Sequence, residues 1–264
     1  MSALAVTRLD DYELFCEGFR ALTQIDLSQY KRGQMERRIR SFAQRRGLVD
    51  LRTYLGQLRS DAKLLDEFLD RVTINVSQLW RNPEQWTMLA RDVLVELRDS
   101  GRIRAWSAGC SYGAEAYTLA ALCQEVAPGV RVDIRGTDID RRMVERAREG
   151  RFTVEDARSA PHQLLERWFD RDGDGWQAKR TLRSLVRFEV GDLLRMTLPK
   201  EHYDLVLCRN TVIYFNEDVR DALHARIAAS LRRGGWFIVG ATERVSQPAS
   251  HGLELIRPFT YRKV

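Results

Sequence analysis

Residues 102–126 read RIRAWSAGCSYGAEAYTLAALCQEV, and this stretch contains three features in succession. A short apolar run ends at Ala108, a turn containing Gly109 and Gly113 follows, and Ala114–Val126 reads as a helix. A strand that passes through a glycine turn into a helix is the first half of a βαβ unit, and such units build parallel sheets. In an open sheet of this kind ligands bind at the carboxyl ends of the strands. The stretch therefore predicts an α/β fold with a ligand site beside this turn.

The same alternation continues to the end of the chain. The further predicted strands are VRVDIRGTD (130–138), VRFEVGD (186–192), YDLVLCRN (203–210) and GGWFIVGAT (234–242), and the intervening helices are Arg141–Glu149 and Glu217–Leu231. The final runs LELI (253–256) and FTYRKV (259–264) suit an antiparallel pair at the sheet edge. We therefore predict a Rossmann-like, mainly parallel sheet.

Residues 10–72 show a different period. Their apolar residues recur at helical spacing without strand-like alternation, and Gly47 is a plausible break between helices. The sequence predicts a small all-helical domain of about four helices over residues 1–73, followed by an α/β domain over residues 74–264.

Charge is concentrated in one stretch. The net charge is +6, and residues 31–46 (KRGQMERRIRSFAQRR) carry seven positive charges against Glu36 alone. An acidic partner is expected, but composition does not name it. The chain has no run of 18 apolar residues and no signal-peptide pattern at its start, so we expect neither membrane insertion nor secretion. The four scattered cysteines suit a reducing cytoplasm, and neither they nor the four histidines have metal-ligand spacing.

Polar residues stand at the predicted ends of successive strands. Asp138 could accept hydrogen bonds from ribose hydroxyls, Asp192 from an adenine amino group, and the pair Arg209–Asn210 could line a reactive centre. Each aspartate could instead cap the following helix. The three ends together favour an adenosine-like ligand, with the capping roles left open.

Several motifs resemble those of CheR-type chemotaxis protein methyltransferases over nearly the whole chain. They are NVSQLWR (75–81) beside the family's N-x-T-x-F-F-R, GCSYGAEAY (109–117) beside G-C-S-T-G-E-E-P-Y, GTDI (136–139), DLL (192–194) and YDLVLCRNTVIYF (203–215). Tyr112 departs from the pattern, since it replaces a small polar residue and could crowd the cofactor.

This resemblance implies a class I methyltransferase sheet with a small β-subdomain insertion at about residues 169–187. It also implies S-adenosylmethionine as cofactor, S-adenosylhomocysteine as product and no metal. The cofactor-binding residues that it implies are Asn75, Ser77, Arg81, Glu115, Asp138, Asp192, Leu193, Arg209 and Asn210. Arg81 and Tyr214 would border the point where a substrate carboxylate meets the methyl group.

The implied substrate is a glutamate side chain in the cytoplasmic domain of a methyl-accepting chemoreceptor. Lys31, Arg38 and Arg45 recur at seven-residue intervals and are expected to share one helix face, away from Met35, Ile39 and Phe42. This face is expected to dock on the acidic receptor helices. The protein is expected to act as a monomer in the cytoplasm, without a receptor pentapeptide tether because its insertion is short.

Other interpretations stay open at this point. A solvated basic face is the alternative for the docking residues. Another substrate on the same fold is possible, although the basic stretch lacks the interleaved aromatics of nucleic-acid binders. A catalytically weak adaptor that binds the cofactor and docks on receptors is the alternative from another class.

Overall fold

The computed structural model describes residues 9–72 and 77–264, which belong to two compact units. The first unit is helical and also includes the later segment Tyr214–Glu217. Its helices are α1 (Asp11–Thr23), α2 (Arg32–Gln44), α3 (Leu51–Ser60) and α4 (Ala62–Val72). Asp10 caps α1 in a reciprocal capping box with Glu13, and Asp50 caps α3 by accepting from the Thr53 N–H. The predicted all-helical N-terminal region is thus confirmed.

Aromatic side chains form the centre of this helical unit. Phe68 makes edge contacts with Phe15, Phe19 and Tyr54, at ring-centroid distances of 6.0, 5.3 and 5.6 Å. All four rings are buried, so the helices pack on one apolar core as their spacing predicts.

The second unit contains a seven-stranded sheet. Its strands are β1 (Arg102–Ala108), β2 (Arg131–Asp138), β6 (Val186–Val190), β7 (Tyr203–Cys208), β8 (Leu231–Val239), β9 (Leu253–Arg257) and β10 (Thr260–Lys263). Their order is β6-β2-β1-β7-β8-β10-β9. Pairing is parallel from β6 to β8, and β10 is antiparallel to both β8 and β9. The predicted parallel sheet with an antiparallel edge pair is confirmed.

The helices of this unit connect the strands. They are α5 (Pro83–Met88), α6 (Val95–Arg98), α7 (Ala114–Val126), α8 (Arg141–Glu149), α9 (His162–Trp168), α10 (Arg180–Arg183) and α11 (Glu217–Ser230). A π-helical segment, Leu89–Leu94, joins α5 to α6. The helices of residues 83–98 had no counterpart in the sequence prediction, whereas α7 and α8 have the predicted bounds.

A separate three-stranded antiparallel sheet confirms the small β-subdomain. It consists of β3 (Arg151–Phe152), β4 (Phe169–Asp172) and β5 (Gly175–Ala178), in the order β3-β5-β4. The strand β3 lies before the predicted range of about 169–187. It follows α8 after one residue, Gly150, and pairs with β5, so the subdomain includes a strand from outside that range. None of the helices in the described part of the chain has the length and apolar character needed to cross a membrane.

Candidate active site

The turn after β1 approaches its neighbours closely. The N–H groups of Gly109 and Cys110 both donate to the Thr137 carbonyl, over 2.9 and 3.0 Å. Gly109 has a φ of +78°, and a Cβ there would lie 2.4 Å from Thr211 Oγ1. Glycine is therefore required at this position, both for its backbone conformation and for the lack of space.

Asp138, the last residue of β2, faces this turn. Its Oδ2 accepts from the Ser111 N–H over 2.7 Å and its Oδ1 from the Asp140 N–H over 3.0 Å. The side chain is buried, and this burial raises the pKa of Asp138 to about 6. Each carboxylate oxygen has a second lone pair, so the group can still accept from two further donors. The two hydroxyl groups of a ribose are donors that fit these two acceptor positions.

The chain after β6 lies beside the end of β2. The Gly191 N–H donates to the Asp138 carbonyl over 2.9 Å, which places Asp192 and Leu193 next to that strand end. Asp192 Oδ1 accepts from the Leu194 N–H over 2.8 Å, as in a local turn, and Leu193 is buried. Arg226 on α11 donates to the Leu193 and Leu194 carbonyls, each over 2.7 Å, and thereby holds the turn.

A buried ion pair lies below the end of β1. Arg209 Nη1 is 3.2 Å from Glu115 Oε2, and Glu115 Oε1 accepts from the Ser107 hydroxyl over 2.7 Å. Gln85 Oε1 accepts from Arg209 Nε and Nη2, and the Arg81 carbonyl accepts from Nη2 over 2.8 Å. Burial raises the pKa of Glu115 against the opposing effect of Arg209, and burial lowers the pKa of Arg209. The network joins three predicted site residues, Arg81, Glu115 and Arg209.

Asn210 is held by a residue that the sequence did not single out. Glu243 Oε2 accepts from the N–H groups of Asn210 and Gly240, each over 2.7 Å, and Oε1 accepts from the Val212 N–H over 3.1 Å. Asn210 has a φ of +58°, and Glu243 is buried. In the sequence, Glu243 could have been found as a carboxylate four residues after the end of β8, where the carboxyl ends of the parallel strands meet.

The segment before α5 packs beside the glycine turn. The Ser77 carbonyl accepts from the Tyr112 hydroxyl, and Arg81 is half-buried. Two residues of the segment, Trp80 and Asn82, have φ values of +55° and +59°, a backbone conformation that residues other than glycine rarely adopt. Asn75, which the resemblance adds to the cofactor site, lies outside the described residues. Tyr112 does not extend into open space, as its hydroxyl is bound to other groups of the protein.

Tyr214 and the predicted docking residues belong to the helical unit. The Lys31 N–H donates to the Tyr214 carbonyl over 2.9 Å, and the Asn216 N–H donates to the Gln29 carbonyl over 2.9 Å. Tyr30 and Phe215 form an antiparallel bridge, with ring centroids 5.0 Å apart. Residues 214–216 are thus paired with residues 29–31, immediately before α2.

A groove of about 400 Å³ follows α2. Its lining includes four cations, two apolar side chains and two phenols, namely Lys31, Arg37, Arg38, Arg45, Met35, Phe42, Tyr30 and Tyr214. The guanidinium of Arg45 lies 5.5 Å from the Phe42 ring centroid. The expectation that the basic residues face away from Met35 and Phe42 is therefore wrong, because residues three and four positions apart are neighbours on a helix surface.

The cations of the basic stretch fall into two groups. Arg32 pairs with Asp10, Glu13 and Glu36, Arg40 with Asp11 and Glu36, and Arg46 with Glu67. Within residues 9–72 and 214–217, the four cations of the groove form no salt bridge with an acidic side chain. The excess positive charge of the stretch is therefore concentrated at the groove.

The sheet order and the polar strand ends suit the fold of S-adenosylmethionine-dependent methyltransferases, and the match to a family model assigns the chain to it. Residues 75–256 match the family described as CheR methyltransferase, SAM binding domain, and residues 10–73 match CheR methyltransferase, all-alpha domain. This chain belongs to the CheR methyltransferase family, as the sequence motifs predicted.

Individual relatives agree with this assignment. A chemotaxis protein methyltransferase of Listeria monocytogenes is 35% identical over 255 residues, covering 96% of this chain and 97% of the relative. One from Borreliella burgdorferi is 28% identical over 253 residues, covering 90% and 89%. Chemotaxis protein methyltransferase 1 of Pseudomonas aeruginosa is 29% identical over 253 residues, covering 91% and 92%. The chain is thus a methyltransferase of the chemotaxis type that uses S-adenosylmethionine.

Proposed function

We propose that this protein transfers the methyl group of S-adenosylmethionine to glutamate side-chain carboxylates in the cytoplasmic domains of chemoreceptors. The products are glutamate methyl esters and S-adenosylhomocysteine. The single observation that carries the choice of an acidic protein substrate is the groove beside α2. Tyr214 and four cations line it, and none of the four forms a salt bridge with an acid in the described part of the chain.

Methylation of a carboxylate needs no proton transfer to or from the protein. A glutamate has a reference pKa of about 4.3 and is already an anion near neutral pH, so no general base is needed. When bound, the cofactor supplies a methyl group that its sulfonium makes electrophilic. The residues of this chain bind the two reactants, orient them and exclude water.

For the cofactor we propose the residues at the strand ends. Asp138 would accept from the ribose hydroxyls, while Asp192 and Leu193 would contact the adenine. The Glu115–Arg209 network would support the amino-acid end, together with Asn75, Ser77, Arg81 and Asn210. The remaining acceptor positions on the Asp138 carboxylate and the close approach of the glycine turn support this assignment.

For the substrate carboxylate we propose Arg81 and Tyr214. Arg81 would hold the carboxylate electrostatically and Tyr214 would orient it by a hydrogen bond. If both Arg81→Ala and Tyr214→Phe kept full kcat and KM for receptor, neither role would stand. Both variants are expected to lose receptor methylation. Cofactor affinity should be unchanged in Tyr214→Phe, whereas Arg81→Ala should also weaken it, since Arg81 is proposed to contact the cofactor as well.

For receptor docking we propose Lys31, Arg38 and Arg45, and the groove lining adds Arg37. Acidic helices of the receptor would lie along this groove. Complementary charge speeds encounter and fixes register more than it adds affinity, so the interaction should weaken with salt. Met35 and Phe42 offer apolar contact between the charges.

We propose that no peptide tether assists this docking. The outer strand β4 is only four residues long, and its exposed acids already have cationic neighbours: Asp172 Oδ2 lies 3.1 Å from Arg151 Nε, and Asp170 Oδ1 lies 3.9 Å from Lys179 Nζ. Tight binding of a receptor C-terminal pentapeptide to the purified protein would overturn this part.

A transfer assay with radiolabelled S-adenosylmethionine tests the proposal. Receptor-containing membranes, DNA and RNA are offered as separate acceptors, and calorimetry measures cofactor binding in parallel. Label in the receptor alone is expected. Label in nucleic acid would favour another substrate, and cofactor binding without transfer to receptor would favour the adaptor interpretation.

A further inference from the structure

Tyr112 occupies a position in the glycine turn that a small polar residue fills in the family pattern, and the structure gives it specific partners. Its hydroxyl lies within hydrogen-bonding distance of two oxygens, the Ser77 carbonyl and Asp156 Oδ1, the latter at 2.8 Å. The side chain is 3% exposed. A buried phenol with two acceptors connects three separate parts of the chain: the glycine turn, the segment before α5 and the turn after β3.

Asp156 is the centre of this connection. Its Oδ2 accepts from the Thr153 N–H over 2.9 Å and from Arg146 Nη2 over 2.5 Å. The Arg146 guanidinium also lies over the Tyr112 ring, 3.9 Å from its centroid. Arg146 is therefore paired with the Asp156 carboxylate and stacked on the Tyr112 ring, and both contacts hold the phenol in place.

The segment after Ser77 is held by the same turn. The Leu79 N–H donates to the Asp156 carbonyl over 2.8 Å, and Gln78 Nε2 donates to Ser159 Oγ over 3.1 Å. Arg158 Nε donates to Gln78 Oε1 over 3.0 Å. In the described part of the chain, residues 77–79 thus have polar contacts with residues 153–159 and with Tyr112.

We infer that Tyr112 is a positioning residue that fixes residues 77–81 against the turn after β1, so that both sides of the cofactor site are in place before the cofactor binds. The inference rests on the proposed cofactor site, which includes Ser77 and Arg81. A site fixed in advance loses less conformational freedom on binding, so removing the hydroxyl should weaken cofactor affinity without removing any cofactor contact.

The test compares Tyr112→Phe with Tyr117→Phe in the full chain. The Tyr117 hydroxyl is also buried, but it donates to the Ala147 carbonyl over 3.0 Å and not to any of residues 77–81. Calorimetry measures S-adenosylhomocysteine affinity, and amide hydrogen exchange of peptides covering residues 77–82 measures local order without ligand.

Tyr112→Phe is expected to weaken S-adenosylhomocysteine affinity roughly tenfold, which corresponds to the loss of one hydrogen bond to a charged group. It should also speed amide exchange, and only in residues 77–82. Asp156→Asn should do the same, and the double variant should be little worse than either single variant. Tyr117→Phe should leave both readouts unchanged.

Unchanged affinity and unchanged exchange in Tyr112→Phe would overturn the inference. So would an equal loss in Tyr117→Phe, which would show that any buried phenol has the same effect. Failure of the unaltered protein to bind S-adenosylhomocysteine would instead contradict the proposed cofactor site, and the exchange result would still decide whether Tyr112 orders the segment.

Discussion

The backbone N–H of Lys31 donates to the carbonyl of Tyr214 over 2.9 Å. Lys31 opens the basic stretch that we propose for receptor docking, and Tyr214 is proposed to orient the substrate carboxylate. Both line the groove beside α2 in the helical unit. A change in the groove should therefore affect how receptor is used, while the strand-end residues of the other unit continue to bind cofactor.

Charge reversal in the groove should raise the KM for receptor. Arg38→Glu with Arg45→Glu replaces two cations without acidic partners, and we expect a KM increase of roughly tenfold or more at low salt. S-adenosylhomocysteine affinity should not change. Arg52→Glu, at an exposed position on α3, is the matched control. An equal effect of the control would show that net charge alone matters.

Cofactor affinity should depend on pH through Asp138. The group binds ribose hydroxyls best as a carboxylate, and burial raises its pKa to about 6 in the free protein. Protonation below that pH therefore competes with binding, so affinity should be constant above about pH 7 and fall roughly tenfold per pH unit below about pH 6. Calorimetry against Asp138→Asn checks this, because the variant should bind weakly and without this pH dependence. A flat profile in the unaltered protein would contradict the assignment.

Removing Arg209 should destabilise the fold. Arg209→Met leaves the buried Glu115 carboxylate without its cation, which costs about 3 kcal/mol or more of unfolding free energy. The double variant Glu115→Gln with Arg209→Met should recover much of that stability, since no buried charge is left unpaired, but not the cofactor affinity. Denaturant unfolding and calorimetry separate the two outcomes. Recovery of both would remove Arg209 from the cofactor site.

Glu243 should prove essential to the turn that carries Asn210. Glu243→Gln places an amide NH₂ against backbone N–H groups, and we expect a loss of about 1–3 kcal/mol in unfolding free energy together with lower kcat. Glu254→Gln, at an exposed position on the edge strand, is the control and should be neutral. A neutral Glu243→Gln would mean that the three bonds do not hold the turn.

Stability should fall in mild acid because of His224. Both ring nitrogens are buried without a hydrogen-bond partner among the described residues, and burial lowers the pKa of His224 to about 4. The unfolded chain binds the proton near pH 6.5, so stability is fully present above that pH and declines as pH falls towards 4, by up to about 3 kcal/mol.

Unfolding of His224→Leu as a function of pH tests this expectation. The variant should lack this part of the acid dependence, while His251→Gln should retain it. The same slope in all three proteins would assign the acid sensitivity to other groups.

The strand-end residues could be predicted because position along the chain decides their place. In a parallel sheet the carboxyl ends of the strands meet at one edge, so Asp138, Asp192 and Arg209 follow from strand assignment alone. The structure then adds what spacing cannot give, namely the direction of each side chain. Gln85 contacts Arg209 across 124 positions of sequence, and no local pattern encodes that contact.

The basic stretch shows the same limit. Arg32 and Arg40 pair with Glu36 four positions away on the same helix, which the sequence could indicate. Their contacts with Asp10 and Asp11, and that of Arg46 with Glu67, depend on how the helices pack. From the sequence, Tyr112 could crowd the cofactor. In the structure its hydroxyl lies against the Ser77 carbonyl and the Asp156 carboxylate, two groups that are far from it in sequence and near it only in the fold.

The central claim is best tested by locating the methyl group after reaction. The protein is incubated with chemoreceptor and S-adenosylmethionine, and the receptor peptides are analysed by mass spectrometry before and after mild alkaline treatment. Methyl esters on receptor glutamates, released by alkali as methanol and formed roughly tenfold more slowly by the Arg38→Glu/Arg45→Glu variant at limiting receptor, are the predicted result. An alkali-stable methyl group on nitrogen or sulfur, or no methylated glutamate despite cofactor turnover, would contradict it.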